Sequence, residues 1–124
     1  MDFTQTSAMA LAYFGDAVIE LLVRRHLILK GYEKSSRLNT EAKKFVTAVA
    51  QSRALGRISD VLTEEETDIF RRARNSSHLN IPKSASATEY KNATGFEAIF
   101  GYLHLQNRLE RVDYLFKLAY SDVL

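Results

Sequence analysis

The sequence predicts an all-α protein. Three observations point that way. The 124 residues include one proline and five glycines, too few breakers for a chain of many short strands. Apolar residues recur at the i, i+3, i+4 spacing of a buried helical face, and no stretch alternates apolar with polar. Hydrophobic residues make up 46% and charged residues 26%, the balance of a globular chain with one real core. One domain over residues 1–124 is expected.

The first helix is expected from about Ser7 to Leu29, where Ala8, Leu11, Ala12, Val18, Ile19, Leu22 and Val23 fall near one face. Gly31 after Lys30 fits a C-terminal cap. A second helical region starts near Ser35 or Asn39, breaks near Thr47 or Gln51, and resumes through Leu55, Ile58 and Leu62. The clearest start is Thr63, because Thr63 with Glu66 has capping-box spacing and Glu64, Glu65 and Glu66 occupy the positive end of the dipole. That helix reaches about Asn75, and Arg71, Arg72 and Arg74 complement its negative end. Residues 76–87 read as a serine-rich loop around the only proline, Pro82. Thr88 is expected to cap a helix from Glu89 to about Leu105. Asn107 marks a break before a last helix, Arg108 to about Ser121, with the stripe Leu109, Val112, Leu115, Phe116, Leu118 and Ala119.

Composition excludes several classes. Without cysteine there are no disulfides and no thiolate–metal sites, and a reducing, cytoplasmic setting is expected. Met1-Asp2-Phe3-Thr4 lacks the basic region of a signal peptide. The apolar run 8–29 contains Asp16, Glu20, Arg24, Arg25 and His26, too many polar groups for a bilayer span, so no membrane partner is expected. The net charge of +2 does not itself mark a nucleic-acid partner; its distribution says more. Residues 71–91 hold Arg71, Arg72, Arg74, Lys83 and Lys91 against the single acid Glu89.

Two places carry chemistry. Asp16 sits mid-helix among apolar residues, where an unpaired carboxylate is costly. Beside it, Gly15 disfavours helix and is expected where another backbone or a ligand comes close. From the pattern alone, a partly exposed aspartate paired with a neighbouring arginine explains Asp16 equally well. Glu97 is the second acid. Its helical neighbours Ala93, Thr94, Phe100 and Gly101 do not form a solvated charged face, and Gly95, Ala98 and Gly101 allow close helix packing. If the two helices cross, Asp16 and Glu97 meet, and adjacent carboxylates repel or share a proton unless a cation holds them. Hard oxygen ligands without cysteine or a histidine cluster suit Mg²⁺ or Mn²⁺, and such sites serve phosphodiester hydrolysis.

At these residues a resemblance appears. Leu11-Ala12-Tyr13-Phe14-Gly15-Asp16-Ala17-Val18 resembles the signature helix of ribonuclease III, whose consensus holds E-x-x-E-F-L-G-D-A. Phe96-Glu97-Ala98-Ile99-Phe100-Gly101-Tyr102-Leu103 resembles that family's second acidic motif, D-x-x-E-A-x-x-G. Arg72-Ala73-Arg74-Asn75 and Tyr90-Lys91-Asn92-Ala93-Thr94 look like motifs of the family's short form, Mini-ribonuclease III, a catalytic domain without a double-stranded-RNA-binding domain. The acids expected four and seven residues before Asp16 are Ala12 and Met9, and the one three before Glu97 is Thr94. Only Asp16 and Glu97 carry over.

The resemblance implies a ribonuclease III-like helical bundle acting as an Mg²⁺-dependent endoribonuclease on double-stranded RNA, with Mn²⁺ as a substitute. It implies products with 5′-phosphate and 3′-hydroxyl ends, Asp16 and Glu97 as catalytic metal ligands, and a role in maturing the 23S ribosomal RNA precursor of bacteria. A homodimer is implied too, with an apolar patch around Tyr13, Phe14 and Val18. Duplex RNA is gripped through phosphates and 2′-hydroxyls, and Arg74, Asn75, Lys83 and Lys91 around the loop are the candidates, though each reads equally as a surface polar residue. His78 reads more simply as surface. Two rivals stay open: a non-catalytic helical module binding structured RNA or ribosomal components, and an all-α nucleotide pyrophosphohydrolase. The latter class clusters acids at E-x-x-E spacing, and the nearest match is Glu110 with Asp113.

Overall fold

Local capping chemistry sets most helix boundaries. This computed structural model describes residues 2–76 and 85–124, which form six α-helices and no strand. In α1 (Ala8–Leu29), the Ser7 side chain accepts the Ala10 N–H at 3.0 Å. The other end closes through Gly31, at φ 99°, which lets the Tyr32 N–H reach the Leu27 carbonyl at 3.2 Å and its own N–H reach Ile28 at 3.0 Å. These bonds satisfy carbonyls that a helix end otherwise leaves open.

Thr47 separates α2 (Ser35–Val46) from α3 (Ala48–Ile58). Its backbone turns extended, with ψ 155°, and its hydroxyl accepts the Ala50 N–H at 3.1 Å. One residue thus stops one helix and caps the next. A 3-10 turn over 59–61 leads to α4 (Glu64–Ser76). The Thr63 box forms reciprocally: Thr63 N–H donates to Glu66 Oε1 at 2.9 Å, and Glu66 N–H to Thr63 Oγ1 at 3.1 Å.

α5 (Ala87–Leu105) starts two residues earlier than the Thr88 cap requires. Ser86 is the cap, in a capping box with Glu89. The physical reason is spacing: Glu89 stands three residues after Ser86, whereas Lys91 stands three after Thr88 and offers no acceptor. Asn107 takes φ 57° and ends α5, with Arg108 N–H on the Leu103 carbonyl at 3.1 Å. α6 (Leu109–Ala119) follows; Leu109, placed on its apolar stripe, is exposed instead.

α5 runs through the middle, against α1, α3, α4 and α6. From 93 to 103 every residue except Glu97 is buried, as a helix enclosed on all sides requires. Phe96 and Phe100 of α5 interlock with Phe45, Phe116 and Tyr120, with ring centroids 4.9–6.5 Å apart. Tyr120 donates its hydroxyl to the Phe45 carbonyl at 2.7 Å. Val18 belongs to this core rather than to an outer patch, because its side of α1 faces inward.

The acids at the start of α4 do more than complement a dipole. Glu66 is fully buried and receives Arg111 through both oxygens, at 2.9 and 2.8 Å. Glu65 receives the Tyr102 hydroxyl at 2.6 Å and Arg108 at 2.8 Å, which holds its carboxyl below the usual glutamate range. No helix among the described residues is long and apolar enough to cross a membrane.

Candidate active site

The site follows from how α1 and α5 touch. A methyl group at Gly15 would fall on the carbonyl of Glu97 and lie 2.9 Å from Gly101 N; one at Gly101 would fall on the Leu11 carbonyl and lie 2.9 Å from Gly15 N. Two glycines face each other, so the helices meet main chain to main chain. Gly95 serves the same end against α4, where a methyl would strike the Phe70 ring. Residues next to the Gly15–Gly101 crossing are forced together, and these are Asp16 and Glu97.

Both acids open onto one small groove of about 180 Å³, lined also by Met9, Ala12, Tyr13, Tyr90 and Thr94. Asp16 is exposed and Glu97 half-buried. Burial, and then the Asp16 carboxylate alongside, push the Glu97 carboxyl up to about 8, while the Gln51 amide opposes the rise. At that value Glu97 holds its proton at neutral pH, in a side-chain hydrogen bond with Asp16.

Met9, Ala12 and Thr94, the positions without the acids of the longer pattern, line this same groove. The pair is therefore alone: no cluster of three or more metal-ligating side chains occurs among the described residues. Two hard carboxylates, with no histidine among the groove residues, fit a cation such as Mg²⁺ that retains most of its waters.

Of the expected RNA-contact residues, Arg74 and Asn75 lie at the end of α4 and Lys91 near the start of α5. Arg74 donates from Nε to Asn92 Oδ1 at 3.2 Å, and Asn92 donates on to Ser52 Oγ at 3.3 Å. Asn75 is exposed and Lys91 half-buried. Lys83 and His78 lie outside the described residues. Arg72 is a structural clamp: its guanidinium donates to the carbonyls of Thr4 and Thr6 at 2.8 and 2.9 Å, tying the N-terminal segment to α4.

Sequence reasoning missed Gln51 and Tyr90. A glutamine on an amphipathic helix reads as surface, so only packing reveals that Gln51 is buried next to Glu97. Tyr90 had a signal: it precedes Thr94 and Glu97 at the spacing of one helix face. The pyrophosphohydrolase rival finds no support in Glu110 and Asp113, which are exposed, Asp113 being paired with Lys117 at 3.0 Å.

Comparison with known proteins points one way. Residues 9–108 match the family described as Ribonuclease III domain. The Mini-ribonuclease 3 of Streptococcus pneumoniae is 44% identical, the match covering 93% of this chain and 91% of that protein. The Mini-ribonuclease 3 of Enterococcus faecalis is 39% identical over 98% of this chain and 94% of its own. A crystal structure of a Fusobacterium nucleatum protein superposes with a TM-score of 0.89 at 33% identity, covering 99% of this chain and 98% of that one.

Proposed function

The chain belongs to the ribonuclease III family, and from that premise we propose that this endoribonuclease cuts double-stranded RNA with a divalent cation held by Asp16 and Glu97. The observation that carries this reading is the pressing together of two carboxyl groups by a glycine-to-glycine helix crossing. Mg²⁺ is the cation proposed, with Mn²⁺ as a substitute; when bound, it activates water and neutralises charge on the scissile phosphate.

The chain's own residues do the rest. Gly15 and Gly101 fix the separation of the acids. Asp16, the more exposed of the two, meets incoming phosphate and cation first. Glu97, protonated beside Asp16 in the metal-free protein, would have to be in its carboxylate form to help hold the cation. Arg74, Asn75 and Lys91 are proposed to grip RNA phosphates beside the groove, and Lys83 is kept as a candidate on sequence alone. Cleavage leaves a 5′-phosphate and a 3′-hydroxyl. The substrate proposed, from the resemblance to the short form of the family, is the 23S ribosomal RNA precursor in the bacterial cytoplasm.

A homodimer is part of the proposal. Tyr13 is 85% exposed, Leu21 59% and Ile28 58%. With exposed Ala17 they form one stripe along the outside of α1, and an uncovered apolar stripe marks a binding face. Tyr13 also lines the groove, so a partner seated on this stripe would border the acids.

Asp16→Asn tests the central assignment. It keeps shape and removes charge. Cleavage of a duplex RNA in Mg²⁺ is expected to fall below detection, while the circular dichroism spectrum and RNA binding stay as in wild type. Full activity of the variant removes the site.

A further inference from the structure

One polar side chain in the interior has no obvious structural reason to be there. Gln51, on α3, is 2% exposed, and among the described residues its Nε2 has no partner in full hydrogen-bond geometry, though it lies close enough to Glu97 to act on that carboxyl. Buried side-chain amides are nearly always satisfied, and an unpaired one destabilises the fold. Methionine or leucine would fill similar space without that penalty. The main chain does not account for the residue, since its N–H already donates to the Thr47 carbonyl at 2.9 Å.

What Gln51 faces is Glu97. The amide acts on that carboxyl in the sense that favours its charged form. Glu97 lines the groove and Gln51 does not, so the amide approaches from the core side. Tyr120 also senses Glu97 from within, but its hydroxyl is committed to Phe45. That leaves the Gln51 amide as the group placed to donate to Glu97 from behind.

We propose that Gln51 is a positioning residue: its Nε2 donates to the core-side oxygen of Glu97 and so aims the other oxygen into the groove beside Asp16. The inference rests on the reading of Asp16 and Glu97 as a divalent-cation pair. Ligand carboxylates are held by such partners behind them, and loss of one commonly weakens metal affinity about 10- to 100-fold. With a cation bound at the pair, Glu97 would be held where this donor could complete its hydrogen bond.

The test compares Gln51→Met and Gln51→Leu with wild type, first metal-free and then titrated with Mn²⁺ followed by electron paramagnetic resonance. The two readouts should move in opposite directions. Metal-free, both variants should melt at the same temperature as wild type or a few degrees higher, because an unpaired buried amide is gone. Their Mn²⁺ dissociation constants should rise about tenfold or more. A lower melting temperature with unchanged Mn²⁺ affinity would mean that Gln51 merely supports the core, and would overturn the proposal. In the wild-type protein the Gln51 side-chain amide signal, in a proton–nitrogen correlation spectrum, should shift when Mg²⁺ is added. A stationary signal overturns the proposal however the variants fold. If wild type itself binds no Mn²⁺, the carboxylate-pair reading fails along with it; if wild type binds and both variants bind equally well, only the role of Gln51 fails.

Discussion

Glu97 carries two opposed demands. It lies largely inside the protein, where its charged form is penalised, and it faces another acid. Its folded pKa of about 8 lies above its ordinary 4.5, so the folded chain binds more protons than the unfolded chain between those values. Stability from this group is therefore full below about pH 4.5 and is lost as pH rises towards about 8, with a slope of at most about 1.4 kcal/mol per pH unit. Urea unfolding of the metal-free protein across that range should show the decline. Glu97→Gln should flatten it and make the protein more stable at the alkaline end, while abolishing cleavage. Saturating Mg²⁺ should flatten it in wild type. An equal slope in Glu97→Gln would place the titrating group elsewhere.

Among elements, the α1–α5 crossing decides most. Alanine at Gly15 would gain about 1 kcal/mol of helix propensity in an open position. Here its methyl would fall on the Glu97 main chain, and overpacking against a backbone that cannot rotate aside costs about 3 kcal/mol. Gly15→Ala should therefore be destabilising by about 2 kcal/mol in urea unfolding, and should lose cleavage even where it stays folded, since Asp16 moves away from Glu97. A variant of wild-type stability and activity would show that the helices do not touch there. The same elements show what could be read before folding. Thr63, Gly31, Asn107 and the break at Thr47 act through bonds within a few residues, so local spacing reveals them. The meeting of Asp16 with Glu97 was legible because each acid stands among small residues. The inward side of α1 was legible as well, since Ala8, Leu11, Ala12, Val18, Ile19 and Val23 are buried as their spacing implies. The outer patch was less so: Leu21, Ile28 and Leu29 are exposed beside Tyr13, and Val18, placed in that patch too, belongs to the core alone. The burial of Gln51 and of Glu66 with Arg111 depends on long-range partners.

At the scale of the molecule, the questions are assembly and substrate. A dimer through the outer stripe of α1 buries Tyr13 and Leu21, so light scattering should give twice the chain mass, and Leu21→Glu should give a monomer. A wild-type monomer at all concentrations would remove the dimer from the mechanism. Grip on duplex RNA through phosphates makes affinity fall with salt. Arg74→Ala and Lys91→Ala should each weaken binding and reduce the slope of log affinity against log salt by about 1. Filter binding over a salt series measures it, and an unchanged slope would remove that residue from the interface.

The glycine-to-glycine crossing has a consequence for how the enzyme can drift over time. Distances that depend on large side chains shift whenever those side chains are exchanged. Here the spacing of the two helices that carry the acids is set by peptide units in contact, which exchange of a distant side chain does not touch. The surrounding core is thus free to trade one apolar residue for another of similar size while the reactive geometry stays put, and the cost of that freedom is concentrated at two positions that tolerate nothing larger than hydrogen.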